Sequence, residues 1–379
     1  MSVKKAFVTA DVGGTNGRIR VYLQSNDFET PWFEHVYRMA SVSNYSELAK
    51  LCVDDARSKA EELGEIVEFV SGCWAVCGPV WASGEKNDPN NLWPGKVESA
   101  LAIGGVFGIE TKGSFLFIND FESIGHSIAA LHAKGINVPD VCKPRDLKTL
   151  YPGPESSSSE EEEQVIACMG AGTGLGVVFL APGHTEGGYG VFPSEGGMSD
   201  TFSPRTEEEW RLKQFLMQLH GDYVEIERVV SGPGLVDVYR FFCKDEAKRI
   251  AGLGNVEVDM QGAYVTRMAQ DAIRDGIDSD PSVKALDLFL SVYGRALGAT
   301  AQQFMCFGGL YVAGGILQKV MWRLEQSNVF LNAYTDQGPK MSSIVQKIPL
   351  TLIGDDTVGL AGALKVAYLL VMNRQGGGD

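Results

Sequence analysis

Two stretches of this chain carry the same pattern of apolar and polar positions. Ala6-Phe7-Val8-Thr9-Ala10 is apolar and partly β-branched, Gly13-Gly14 follows, and Ile19-Arg20-Val21-Tyr22 alternates. That pattern predicts a hairpin over residues 5–22. From Val165 it returns. Asp11-Val-Gly-Gly-Thr15 aligns with Met169-Gly-Ala-Gly-Thr173, and Ile19–Tyr22 with Val177-Val-Phe-Leu180, 158 positions later. A repeat at that spacing predicts two similar domains facing each other. Two unrelated glycine hairpins would leave the same local signal.

Other segments fill the frame. Residues 46–63 have helical spacing, and Phe69–Val80 reads as a strand closed by Gly78-Pro79. Phe115–Ile118 is a short buried strand ending at Asn119-Asp120, with a helix expected over 122–131. Residues 284–306 predict a long helix. Leu310–Ala313 predicts a strand, Gly314-Gly315 a turn, and 316–326 a helix. A strand at 349–353 and an apolar helix at 359–372 close the chain. Ser156–Ser159 and Glu160–Glu163 make 152–164 a low-complexity, solvated insert.

Composition narrows the function. The 379 residues are 44% hydrophobic, enough for real cores, and carry a net charge of -15. So acidic a surface repels nucleic acid and anionic membranes, and neither is expected as a partner. It also means that any polyanionic ligand must be held by backbone N–H groups, a metal ion and local basic residues. Seven cysteines, an odd number in mostly apolar runs, predict a reducing compartment. Cys73 and Cys77 lack a second metal-binding pair, which argues against zinc. No apolar run reaches transmembrane length, and the chain enters a strand almost at once. The expected location is the cytoplasm.

The motifs supply chemistry. In Asp11-Val-Gly13-Gly14-Thr15 the glycines let backbone approach a phosphate, and successive N–H groups form an anion-binding concavity. Thr15 adds a hydroxyl, and Asp11 can hold Mg²⁺ through water. No Gly-Lys-Ser/Thr follows, so this is not a Walker loop. Gly170–Gly176 reads as a second phosphate loop, leading into a strand rather than into the helix of a dinucleotide fold. Either loop could be a plain hairpin turn. Asn119-Asp120, at the end of a strand, could supply a base for a sugar hydroxyl or merely cap a helix; local sequence alone favours the cap. Glu195 and Glu227 suit paired sugar hydroxyls, or are solvated surface residues. Gly314-Gly315 could lie flat against adenine or start a helix.

Taken in order, the set resembles the bacterial-type glucokinase family within the sugar kinase, actin and heat-shock ATPase superfamily. The matching stretches are Asp11-Val-Gly-Gly-Thr-Asn16, Asn119-Asp120-Phe121, Gly170–Gly176, Glu195-Gly-Gly197, Glu227–Val236 and Val312-Ala-Gly-Gly-Ile316. They run through most of the chain in family order. The resemblance implies an α/β fold of two ribonuclease-H-like (actin-like ATPase) domains flanking a cleft. One would comprise 1–129 plus 356–379, the other 130–355. It implies ATP-dependent phosphorylation of glucose at the 6-hydroxyl, the first step of glycolysis, with Mg²⁺. Asp120 is the implied base. Asn90 (from an Asn-x-x-Trp segment), Asn119, Glu195 and Glu227 are the implied sugar ligands. Asp11, Gly13, Gly14, Thr15 and Asn16 match the first phosphate motif, Gly172 and Thr173 the second, and Gly314 and Gly315 the adenosine motif. A homodimer is implied as well. Met198 stands where many members carry a sugar-binding His, so the choice among hexoses stays open, as does ATP against ADP or polyphosphate as donor. Two other classes stand beside this one, and the first shares the phosphate loops. An actin-like ATPase would cleave ATP without sugar, and a sugar-binding regulator would not catalyse.

Overall fold

The structure is a computed structural model that describes residues 3–24, 28–80, 85–87, 97–134, 138–154, 163–183, 188–199, 201–243 and 252–376. Thirteen strands occur among them. They are β1 (Val3–Val12), β2 (Asn16–Leu23), β3 (Phe33–Arg38), β4 (Ile66–Val76), β5 (Glu85–Asn87), β6 (Val97–Ser99), β7 (Phe115–Asn119), β8 (Leu147–Tyr151), β9 (Ile166–Ala171), β10 (Leu175–Pro182), β11 (Tyr189–Ser194), β12 (Leu310–Ala313) and β13 (Leu350–Ile353). One sheet has the order β3-β2-β1-β4-β7, the other β11-β10-β9-β12-β13-β8, and β5 pairs with β6 alone.

The repeat read from the two glycine hairpins therefore extends to whole sheets. In each, a hairpin and a third strand lie on one side, and two later strands add in parallel on the other: β4 to β1 and β7 to β4, then β12 to β9 and β13 to β12. The second sheet gains β8, antiparallel to β13, at its edge. Parallel additions need crossover connections, and helices supply them.

Contacts cluster the chain into two compact units. The first is Met1–Arg145, Leu180–Pro193 and Asp355–Asp379; the second is Asp146–Phe179 and Ser194–Gly354. The sequence-based division put 130–145 and 180–193 in the other domain. For 130–145 the reason lies in packing: Ala130, Val138 and Cys142 are buried with Phe7 and Tyr22 of the first sheet.

In the first unit both faces of the sheet are covered, and the period of two along β1 decides which residue meets which cover. Ala6, Val8, Ala10 and Val12 face a core shared with Leu48, Cys52 and Ala56 of the helix Tyr45–Glu62. Phe7 faces the opposite core, with Ala363, Leu364 and Ala367 of the terminal helix Val358–Gly376. That helix runs against the helix Asp120–His132 so closely that a Cβ on Gly362 would meet the Ser123 carbonyl oxygen. Ser71 of β4 donates to the Ala367 carbonyl at 2.8 Å.

The second unit has one large core. The helix Pro281–Phe304 runs through it, with Phe289, Tyr293 and Leu297 fully buried. The helix expected over 316–326 is instead two short ones, Gly315–Lys319 and Met321–Gln326. Buried Val320 leaves helical geometry between them (φ -111°), and Arg323 of the second reaches back to Asp287 with two bonds of 2.7 and 2.8 Å. The helices Glu207–His220, Gly232–Phe242 and Gln261–Arg274 were not evident from the sequence. Seven cysteines are free and six of them are buried. Burial pushes the thiols of Cys142 and Cys306 up to about 12, which makes them inert.

Candidate functional site

In the first unit the carboxyl ends of three parallel strands share one sheet edge. Val12 of β1 is level with Val76 of β4, and Val76 with Asn119 of β7. Neighbouring strands lie ~4.8 Å apart, so the ends of β1 and β7 are about 10 Å apart. The structure thus brings Asp11, Gly13, Gly14, Thr15 and Asn16 to the same edge as Asn119 and Asp120.

The first hairpin turns at Gly13-Gly14-Thr15, closed by Gly13 N donating to the Asn16 carbonyl at 3.0 Å. The Thr15 carbonyl accepts from Met39 N at 3.0 Å. The tip amide of Gly14 is exposed and donates to no protein group among the described residues. Asp11 has the same parity as Phe7, so its side chain faces the start of the terminal helix. A Cβ on Gly359 would lie 3.1 Å from its Oδ2. Burial there pushes the Asp11 carboxyl up to about 6; Arg18 opposes the shift and Asp356 adds to it. Arg18 is Asp11's partner across the hairpin. A carboxylate held in so unfavourable a setting is suited to a cation. No cluster of three or more acidic, His or Cys ligands exists among the described residues. A largely hydrated Mg²⁺ needs only one or two carboxylates.

The Asn119-Asp120 pair resolves into two roles. Asn119, not Asp120, is the helix cap. Its Oδ1 accepts from Phe121 N (2.9 Å) and Glu122 N (3.2 Å), while Glu122 Oε2 accepts from Asn119 N at 3.1 Å, a complete capping box. Such a cap contributes ~1 kcal/mol. Asn119 Nδ2 donates to the Gly78 carbonyl at 3.2 Å, which leaves one amide hydrogen for a ligand. Asp120 is then the first residue of the helix and half-buried, with Phe121 N donating to its Oδ1 at 2.9 Å. The positive end of the helix lies at its carboxylate. Behind it, burial pushes His126 down to about 3, so that ring is neutral.

In the second unit the same edge geometry recurs. Ala313 at the end of β12 is level with Gly170 of β9, so Gly314-Gly315 continues beside Ala171-Gly172. The fit is close: Gly314 sits at φ +89°, and a Cβ on it would come 2.5 Å from the Ala171 carbonyl oxygen. The hairpin is closed by Gly172 N to the Gly174 carbonyl at 2.8 Å, and the tip amide of Thr173 donates to no protein group among the described residues. The hydroxyl of fully buried Tyr293 accepts from Ala171 N at 3.1 Å and holds the end of β9 from the core side.

Both predicted sugar carboxylates of this unit gather at the start of β10. Glu227, in the turn Ile226–Arg228, accepts from Leu175 N through Oε2 at 2.7 Å. Glu195 is exposed and precedes the short helix Gly196–Ser199, whose Gly197 abuts the Leu175 carbonyl. Met198 is 45% exposed beside it. Asn90 lies outside the described residues.

Sequence reasoning passed over several residues that hold these parts. Ser231 caps the helix Gly232–Phe242 by accepting from Gly234 N at 3.0 Å, and Gly232 N donates to the Gly172 carbonyl at 2.8 Å. Ser231-Gly-Pro-Gly234, with proline in the first turn, carries a helix-start signal that could have been read. Asp355 accepts from Thr357 N (2.8 Å) and sets the start of the terminal helix behind Asp11. Asp355-Asp356-Thr357 before an apolar run is a similar signal.

Comparison with known proteins adds an independent line. A family model described as Glucokinase matches residues 8–369. The glucokinase of Nostoc sp. is 32% identical over 365 residues, covering 88% of this chain and 96% of that protein. Among solved structures, glucokinase from Balamuthia mandrillaris in complex with glucose aligns at TM-score 0.74 and 22% identity, over 96% of this chain and 94% of that one. A ROK family glucokinase from Streptomyces griseus in complex with glucose and AMPPNP aligns at TM-score 0.54 and 15% identity, over 96% and 98%. At such identities these structures establish the fold: two α/β halves of the actin-like ATPase kind.

Proposed function

Because this chain belongs to the glucokinase family, it is an enzyme that phosphorylates glucose with ATP, and we propose that Asp120 is its base and the two glycine hairpins its phosphate grips. The observation that carries this reading is the pairing of a family match over 8–369 with Asp120 as the first residue of a helix that Asn119 caps. Because Asn119 takes over the capping, Asp120 stands as the first residue of the helix, at its positive end.

The residues act as follows. Asp120 accepts the proton of the glucose 6-hydroxyl as the oxygen attacks the γ-phosphorus. Amides at the tips of the 13–15 and 172–174 hairpins neutralise charge that builds on the phosphate oxygens. Mg²⁺, when bound, supplies further charge neutralisation; Asp11 would hold it through water. Gly314 and Gly315 offer flat backbone to the adenosine. Asn119, through its remaining amide hydrogen, with Glu195, Glu227 and Asn90, orients the sugar hydroxyls. Glu227 also holds the Leu175 amide, so one carboxylate touches both the sugar and the second phosphate hairpin. Asn16 completes the first hairpin by accepting from Gly13. The reaction opens glycolysis, in the cytoplasm, and the enzyme acts as a homodimer.

A coupled assay over a hexose panel with ATP, ADP and polyphosphate tests the reading. ATP turnover rising many-fold with glucose, with glucose 6-phosphate as product, is expected. ATP cleavage indifferent to every hexose would replace it with the ATPase reading.

A further inference from the structure

Residues 227–232 of the second unit hold its glycine hairpin from both flanks. Where the hairpin enters β10, Glu227 accepts from Leu175 N through Oε2 at 2.7 Å. At the other flank Gly232 N donates to the Gly172 carbonyl at 2.8 Å. The tip residue, Thr173, lies between these two bonds.

Ser231 joins the two ends of this stretch. It is 2% exposed, and its hydroxyl donates to the Glu227 carbonyl at 2.8 Å while accepting from Gly234 N at 3.0 Å. One side chain thus fixes both the residue that carries the carboxylate and the start of the helix whose first amide holds Gly172. The turn between is tight. Val229 and Val230 are fully buried, and a Cβ on Gly234 would come 2.8 Å from the Val229 carbonyl oxygen. The fit is as close at the carboxylate, where a Cβ on Gly174 would lie 2.7 Å from Glu227 Oε2. The segment of Glu195 meets the same place, since Gly197 abuts the Leu175 carbonyl. A helix cap alone would explain the bond from Gly234 N to Ser231. It explains neither the bond from Ser231 to the Glu227 carbonyl nor the one from Gly232 to Gly172.

We propose that Ser231 is a positioning residue that makes glucose and nucleotide binding reinforce each other, by tying the Glu227 carboxylate to the 172–174 hairpin. The inference rests on the reading above of Glu227 as a sugar ligand and of the hairpin as a phosphate grip. Glu227 Oε1 takes no bond from another described residue and is the oxygen left for a sugar hydroxyl. A hydroxyl bonded there fixes the carboxylate. Through Oε2 and the Ser231 turn it then fixes both flanks of the hairpin. The nucleotide meets a hairpin already ordered and loses less conformational freedom on binding. The coupling is reciprocal, so the nucleotide tightens glucose by the same factor.

Calorimetric titration of AMPPNP with Mg²⁺ into the full chain, with and without saturating glucose, tests this. In the parent chain glucose should tighten AMPPNP about tenfold, and in Ser231→Ala that ratio should fall to about twofold or less. Ser231→Thr keeps the hydroxyl and should keep most of the parent's ratio. Gly174→Ala leaves the cap untouched but displaces the carboxylate from Leu175 N, and should lose the ratio as well, so the test stands even where Ser231→Ala fails to fold. Parent ratios retained in Ser231→Ala or in Gly174→Ala overturn the proposal. So does independent binding of the two ligands to the parent, which leaves the glucose-phosphorylating activity standing. Failure of the parent to bind glucose would instead remove the sugar-ligand reading on which the proposal rests.

Discussion

The two glycine hairpins share a strand-turn-strand pattern and differ in the bond that closes the turn, Gly13 N to the Asn16 carbonyl against Gly172 N to the Gly174 carbonyl, and in their electrostatics. In the first, the strand itself supplies a carboxylate, Asp11, with Arg18 across the ladder. At the matching places of the second stand Met169, which is buried, and Gly176. The second hairpin takes its carboxylate from elsewhere, through Glu227 bonded to Leu175 N. What the repeat preserves is a turn with an amide at its tip that donates to no protein group among the described residues, the part proposed above to grip phosphate. Side chains then differ: a half-buried acid suited to a cation in one half, and an apolar strand tied to Glu227, the proposed sugar carboxylate, in the other.

The largest test of this difference is Asp11→Asn. Losing the proposed metal-holding carboxylate should lower the turnover rate about 10²-fold, on the scale of a lost electrostatic contact to the transition state. Stability should move the other way. The folded pKa of Asp11, about 6, lies above the ordinary 3.8. An acid raised in this way favours the fold only while protonated, and that contribution is lost as pH rises through about 6. At pH 8 Asp11→Asn should therefore stabilise the metal-free chain by ~1–3 kcal/mol, and at pH 4 by almost nothing. Urea melts at the two pH values read this directly; equal shifts at both would place the acid in water. Met169→Asn should do the opposite, costing ~1–3 kcal/mol at either pH, because an amide is buried where a methionine packed.

Smaller effects follow on the sugar side. Glu227→Gln keeps an acceptor for Leu175 N but loses charge toward the sugar. The glucose KM should rise about tenfold with kcat changed less, the loss of one charge-assisted bond. A change in ATP KM alone would show that the carboxylate serves only the hairpin. Met198→His should lower the glucose KM only a few-fold, as one exposed hydrogen bond would. An unchanged KM across the hexose panel would remove position 198 from selectivity.

Both hairpins, the strand into Asn119 and the terminal helix were legible in the sequence because each is local: period-two runs broken by glycines, or an apolar run of helical length. The role of Asn119 was half-legible. The cap was expected, yet which of two adjacent residues provides it depends on the Glu122 side chain returning to the backbone. Interactions that close over long separations were not legible. Asp11 against Gly359, Gly314 against Ala171, and Gly362 against Ser123 each depend on two segments meeting, and neither segment names its partner. The same limit hid the break at Val320, which is set by a core that the local helical pattern does not see.

The central claim is that Asp120 takes the proton of the sugar. Turnover and AMPPNP affinity measured on one preparation of Asp120→Ala test it most directly. Turnover should fall ~10²–10⁴-fold, the range of general-base catalysis, with AMPPNP binding as in the parent chain. Turnover within a few-fold of the parent would contradict the assignment.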